Sequence, residues 1–392
     1  MSTKVDIRED KNLFILDPKK ALKPQFTTSL LMEDLAKSAE DALSDARDAS
    51  WQNWLNSEPL LVGHYDEDSG KSYLFFISEQ LKNKIIVFYI WDYILLPCIR
   101  SVEYIKEWNY RYSPAGLVTI GIHSPMFSFG QDKGNVQDAI RALGVTFPIV
   151  LDSELTIWKS LENRYWPRLI LLNEKQETCA DVVGEGGCIK FEQEIQKLLR
   201  KQSPGLACLP ILKPLYPLDE KGSEVFFGFK HRSSVLNPQW PSSVNDETRF
   251  QGELPGDIPE NMVWLTGDWV ITGESLYSSN NMKSAYKGEL SFTINFKAKN
   301  VYMIACSRPR NAEDVPSPIR VQLLLDKKPV LNESFGKDLS FGEGRRSQVI
   351  FKNPRLYSVL KNLSPGPHEL KLILDDESSD TAEIFGFSFE DT

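Results

Sequence analysis

The chain of 392 residues is 41% hydrophobic and 25% charged, with 23 glycines and 23 prolines, which excludes collagen-like, disordered and disulfide-scaffold classes and leaves room for two or three domains. Its 45 basic residues against 54 acidic ones give a net charge of −9, unfavourable for a broad electrostatic grip on nucleic acid or anionic lipid. Neither a nucleic acid nor a membrane is expected as partner.

Charges precede any apolar run in Met1 to Phe14, so no secretory leader is read there. The most apolar stretch, Ile85 to Ile99, contains Asp92 and Pro97 and falls short of the roughly 20 residues that cross a bilayer. The five cysteines, Cys98, Cys179, Cys188, Cys208 and Cys306, form no CxxC, which fits a reducing compartment. A soluble, cytoplasmic chain is expected. The four histidines, His64, His123, His231 and His368, lack metal-ligand spacing, and neither a metal nor a cofactor is expected.

In chain order, residues 1–56 form an N-terminal extension, in which Leu31, Leu35, Ala39, Leu43 and Ala46 predict one amphipathic helix. From 57 to 202, strand-like runs at Ile85–Ile90, Leu117–Ile122, Phe147–Leu151, Arg168–Leu172 and through Val183 alternate with helix-like runs at Cys98–Tyr110, Val136–Leu143, around Trp158 and Phe191–Arg200. That alternation predicts a three-layer α/β domain. Residues 203–222 carry Pro204, Pro210, Pro214 and Pro217 and read as an extended linker. From 223 to 392, short strands such as Leu290–Phe296, Val301–Cys306, Ile319–Leu325, Glu369–Leu374 and Ile384–Phe389 are separated by Gly, Pro, Asn and Asp, predicting an all-β sandwich or jelly roll.

The run from Trp91 through Asp92, Tyr93, Leu95, Leu96 and Pro97 to Cys98, Ile99 and Arg100 resembles the active-site turn of thioredoxin-like proteins of the TlpA/DipZ type, W-T-Y-T-C-x-x-C-I-R. Further matches follow in order: Gly121-Ile-His123-Ser-Pro125 with Phe127 and Phe129, Asn135-Val136, Asn163 with Tyr165-Trp166-Pro167, and Gly184-Glu185-Gly186. Glu224 to Phe229, Leu265 to Trp269, Glu274 and Ile384 to Phe389 resemble the carbohydrate-module-like β-sandwich that follows the thioredoxin domain in DipZ-like proteins. A related thioredoxin domain occurs with NHL-repeat propellers, for which this sequence has no repeats. The resemblance implies a thioredoxin-like fold with a cis peptide at Trp166-Pro167.

It also exposes a departure. Leu95 stands where the first cysteine of C-x-x-C belongs, so Leu95-Leu96-Pro97-Cys98 keeps only the resolving thiol. Tyr89 stands where thioredoxins commonly bury an aspartate, and Met126 and Gly130 replace two glutamates of the H-T-P-E-F-x-F-E pattern. The expected function is a non-catalytic module for a protein or peptide partner, with Trp91, Tyr93, Leu95, Leu96, Trp166 and Pro167 lining an apolar groove. The alternative is an atypical thiol-disulfide oxidoreductase using Cys98 with Cys188 or a partner thiol, and a further one is glycan binding through Trp240 and Tyr277. His123 reads as a structural histidine, Trp264 and Trp269 as core, Cys179 and Cys306 as packing residues, and Cys208 as the exposed thiol.

Overall fold

The structure, a computed structural model, describes residues 13–15, 61–66, 71–76, 81, 83–206, 209–213, 222–279, 289–309, 314–374 and 380–391. The helix expected within 30–56 and Cys208 lie outside the described residues. The chain divides into two compact units, 1–216 and 217–392, the division falling inside the proline-containing stretch.

The first unit contains strands β1 (Leu13–Ile15), β2 (Leu61–Asp66), β3 (Lys71–Phe76), β4 (Ile85–Trp91), β5 (Leu117–His123), β6 (Ile149–Leu151), β7 (Arg168–Leu172) and β8 (Thr178–Val183). Its described helices are α1 (Leu96–Tyr112), α2 (Lys133–Leu143), α3 (Thr156–Ser160) and α4 (Cys188–Gln202). Six strands form one sheet in the order β1-β6-β5-β4-β7-β8, while β2 and β3 pair separately as a hairpin. Strands β1, β6, β5 and β4 run parallel to one another; β7 is antiparallel to β4, and β8 antiparallel to β7. Strand β1 comes from the N-terminal extension, so this sheet does not begin at residue 57. Three residues are too few for an alternation to be legible.

Seven consecutive apolar residues make β4, and all seven are buried, as a central strand covered on both faces requires. Helix α1 buries Val102, Ile105, Trp108 and Tyr112, a stripe at intervals of three and four. Each such side chain contributes about 1.5–3 kcal/mol on leaving water. Helix α2 starts at Asp132, whose carboxylate accepts the Asn135 N–H at 2.9 Å, and stops at Gly144 in the left-handed region. Strand β8 is the outermost of the sheet and largely exposed, so Cys179 on it is an exposed thiol rather than a packing residue.

The second unit is all β. Its strands are β9 (Gly222–Phe226), β10 (Glu247–Phe250), β11 (Val263–Ile271), β12 (Leu276–Ser278), β13 (Ser291–Phe296), β14 (Asn300–Arg308), β15 (Ile319–Leu325) and β16 (Lys328–Pro329), then β17 (Leu339–Phe341), β18 (Ser347–Phe351), β19 (Arg355–Leu360), β20 (His368–Leu374) and β21 (Thr381–Glu390). One sheet holds β17-β18-β15-β20-β13, the other β12-β21-β14-β19, and β11 belongs to both. Between them lies a single core in which Phe292 stacks on Phe387 at 5.6 Å and Phe296 on Phe389 at 5.2 Å. Trp269 is fully buried and Trp264 nearly so, the core positions expected of them.

The first half of β11 pairs with β13 through Thr266, and from Gly267 onward the strand pairs with β10 and β12. Gly267 has φ +96°, and a Cβ there would lie 2.7 Å from the Leu290 side chain. This glycine turns the strand from one sheet into the other. We predict that Gly267→Ala lowers the unfolding free energy by about 1–3 kcal/mol, the cost of holding an L side chain at such a backbone angle. Denaturant titration of the second unit's transition reads it, and an unchanged midpoint would refute the assignment.

Candidate functional site

The five N-terminal motifs, scattered from residue 91 to 186, are wired to one another by a small set of bonds. At the end of β4, Asp92 is 1% exposed. Its Oδ2 accepts the Met126 N–H at 2.7 Å, its Oδ1 accepts the Ile94 N–H at 3.3 Å, and His123 Nε2 lies 3.3 Å from Oδ1. The His123 ring is equally buried, stacked on Tyr93 at 5.4 Å and edge-on to Trp91 at 5.9 Å. It is an internal structural histidine. The Asp92 N–H points at Cys98 Sγ from 3.5 Å.

Ser124 carries the wiring onward. Its N–H bonds the Trp91 carbonyl at 3.1 Å, its hydroxyl donates to Asp152 at 2.9 Å, and its carbonyl accepts from Trp166 Nε1 at 2.9 Å. Trp166-Pro167 is a cis peptide, and the Trp166 ring stacks on Trp158 at 3.9 Å. Asp152 also accepts the N–H groups of Ile157 and Trp158, opening α3. Burial outweighs these bonds and raises the Asp152 carboxyl above its ordinary value.

On the other side of β4, Arg100 in α1 makes a forked pair with Glu185, its Nε donating at 2.7 Å. Glu185 sits between Gly184 and Gly186, both with positive φ, in the loop that leads to Cys188 at the head of α4. Tyr89 is fully buried beneath, and its hydroxyl donates to the Cys98 carbonyl at 2.6 Å. Burial first, then the neighbouring thiols Cys98 and Cys188, push its pKa well above the ordinary tyrosine value, so it offers no carboxylate-like base.

Leu95 occupies the N-cap of α1 with no side-chain cap bond, and Cys98 lies in the first turn, fully buried. Trp91, Tyr93, Leu95, Leu96 and Pro167 are buried and Trp166 is half-buried, so the open apolar groove expected from these six is not formed. Apolar side chains at a helix head gain by turning inward, away from water. Cys188 is buried as well, and burial, followed by the Glu185 carboxylate, pushes its thiol up to about 11. Cys306 is a buried packing thiol. At Gly130 a Cβ would lie 2.8 Å from that of Pro125. Trp240 has the Arg232 guanidinium 4.9 Å above its ring, and Tyr277 has that of Arg308 at 4.4 Å, so one stacking face of each sugar candidate is already covered. Among the described residues no three His, Cys, Asp or Glu side chains gather as a metal site, and no helix is long and apolar enough to cross a membrane.

Sequence patterning does not single out Asp92, Asp152 or the Arg100–Glu185 pair as parts of the site. For Asp92 the signal was present, a carboxylate inside the most apolar run of the chain, where a charge persists only if it is bonded.

A mixed sheet with a helix following its central strand, and a cis-proline loop bonded to the segment after β5, defines a thioredoxin-like unit; a β-sandwich follows it in the chain. No protein-family profile matches the chain. It is 27% identical over 233 residues to the protein DipZ of Mycobacterium bovis and, equally, of Mycobacterium tuberculosis, an alignment covering 58% of this chain and 32% of either relative. It is 28% identical over 134 residues to NHL repeat-containing protein 2 of Gallus gallus, covering 34% of this chain and 16% of that one. The chain thus spans about a third of the length of the DipZ proteins it matches. Among solved structures it is similar to a putative thioredoxin from Neisseria meningitidis (18% identity, 37% of this chain, 92% of that chain, TM-score 0.30) and to StoA from Bacillus subtilis (20%, 35%, 96%, 0.27).

Two outcomes follow from this geometry. Asp92→Ala orphans the buried Ile94 N–H and the half-buried Met126 N–H and should cost about 3 kcal/mol in urea unfolding; a loss under about 0.5 would show that these bonds carry nothing. Alkylation of Cys188 in the folded chain should be slow at pH 7, where roughly one thiol in ten thousand is ionised, and climb toward pH 11. The sign for stability is the same. The folded thiol holds its proton up to about 11, while the unfolded one loses it near pH ~8.5, so this group's contribution is full below the lower value and is lost as pH rises to the upper.

Proposed function

We propose that the first unit is a non-catalytic thioredoxin-like module that serves as a protein- or peptide-binding scaffold. One observation carries this reading. Leu95, a buried hydrocarbon, holds the helix N-cap where exchange chemistry needs an exposed thiolate. Cys98 lies behind it without access to solvent, and Cys188 is a neutral, buried thiol at physiological pH. The sequence contains no CxxC pair, and a reducing, cytoplasmic setting is part of this reading. Beside the cis peptide, Tyr165 is 65% exposed and offers an aromatic anchor to a partner.

The second reading, an atypical thiol-disulfide oxidoreductase, draws on Cys98 and Cys188 both raising the pKa of the Tyr89 hydroxyl. Glycan binding by the second unit has against it the guanidinium over each candidate ring, Arg232 on Trp240 and Arg308 on Tyr277.

Insulin reduction separates the first two. The chain as it stands should show no activity above background, and Leu95→Cys should create a C-x-x-C pair that oxidises to a disulfide with Cys98 and reduces insulin measurably. The gain should be modest, because Tyr89 replaces a buried carboxylate. Robust activity of the unmodified chain, abolished by Cys98→Ser, would install the oxidoreductase reading. A folded Leu95→Cys chain that forms no such disulfide would mean that Leu95 is not the position of the missing thiol.

A further inference from the structure

The segment after α4 is not a free linker throughout. Residues 209–212 are held by a polar set on α1 and α4 that reads main chain. Glu192, 1% exposed, is oriented by Arg111 Nη1 at 2.8 Å and the Tyr112 hydroxyl at 2.5 Å on Oε1. That leaves Oε2 to accept the Leu212 N–H at 2.8 Å. Gln196 donates through Nε2 both to the Tyr112 hydroxyl and to the Leu209 carbonyl, each at 2.8 Å. Arg111 Nη2 donates to the Pro210 carbonyl at 2.5 Å.

The carbonyls of Leu209 and Pro210 and the N–H of Leu212 are therefore each met by a side chain fixed by its own neighbours. Pro210, and Pro214 after Lys213, bias this backbone toward the extended state such a set requires. None of these contacts reads a side chain of the segment. The fit is also incomplete, since an open cavity between Ala115, Arg200 and Leu206 leaves Leu209 38% exposed. A buried carboxylate that closes a chain's own linker costs desolvation and contributes little net stability. Recognition of a replaceable main chain is a better account of it than packing.

We propose that Arg111, Glu192 and Gln196 form a binding slot for an extended, proline-containing peptide, occupied in cis by Leu209–Leu212 as an exchangeable latch. The slot involves neither Leu95 nor Cys98, so it stands or falls apart from the proposed function.

The full-length chain tests it. Leu212→Pro removes the N–H that Glu192 accepts and should empty the slot. A fluorescent peptide Leu-Pro-Ile-Leu-Lys-Pro, the sequence of 209–214, should then bind this variant at least tenfold more tightly than the unmodified chain. Adding Glu192→Gln should lower that affinity at least tenfold. Hydrogen exchange gives the second reading. The Leu212 amide should be protected in the unmodified chain and exchange at least tenfold faster in Glu192→Gln, while Ile105 and Ile195 stay protected. A folded Leu212→Pro chain that binds the peptide no better than its parent would overturn the slot. If that variant does not fold, an unprotected Leu212 amide in the unmodified chain, or one indifferent to Glu192→Gln and Gln196→Ala, overturns it equally.

Discussion

The first unit depends on the price of burying the Asp92 carboxylate at the end of β4. A carboxylate removed from water must be met by donors, and each unmet one costs a kilocalorie or more. Its donors come from the turn that enters α1 and from the segment after β5. Once Asp92 is satisfied, the position of the helix head relative to the neighbouring strand is no longer adjustable. His123, Ser124 and, through Ser124, the cis-proline loop are then placed by short bonds rather than by long loops finding their own way. The backbone N–H of Asp92 faces Cys98, which ties that thiol to the frame.

On that frame, what a helix N-terminus does depends on the side chain at its cap. Exposed backbone N–H groups and the helix dipole favour an anion there, and in a thiol enzyme that anion is the thiolate. Leu95 has no charge to stabilise and is 4% exposed. The electrostatic advantage of the position goes unused, and the hydrophobic one is taken instead. Cys188 sits at the head of a second helix, where the dipole would again favour a thiolate, yet burial and the Glu185 carboxylate prevail and its thiol stays neutral. Only at Cys188 do desolvation and the dipole compete, and there desolvation wins.

Elements whose apolar residues repeat cleanly were legible from sequence. Helix α1, strand β4 and β15 follow from periodicity alone, and the proline cluster marks where the two units part. Strand β1 was not legible, since three residues carry no period and its partner β6 lies far along the chain. The site was half legible. Trp91, His123, Trp166 and Glu185 stand in recognisable motifs, but nothing linear says that Ser124 joins Trp166 to Asp152, or that Arg100 reaches Glu185. The groove expectation failed for a related reason. Local apolar character was plain at Leu95 and Leu96, whereas their burial depends on what the fold brings over them. The latch was hidden because prolines read as a spacer, and the receiving Glu192 reads as an ordinary helix-surface acid until its neighbours on α1 are known.

The pairing of β9 with β21 bears on how the second unit comes into being. Ser223 lies opposite Phe389 and Phe226 opposite Gly386, so the strand made first is hydrogen-bonded to the one made last. Closing a loop of that length carries an entropy cost that no local contact offsets beforehand. On the ribosome, β9 must therefore wait, unpaired and partly apolar, until residues 381–390 have emerged. The sandwich acquires its final edge only as synthesis of that strand is completed, and its folding is slow and governed by topology rather than by local propensity.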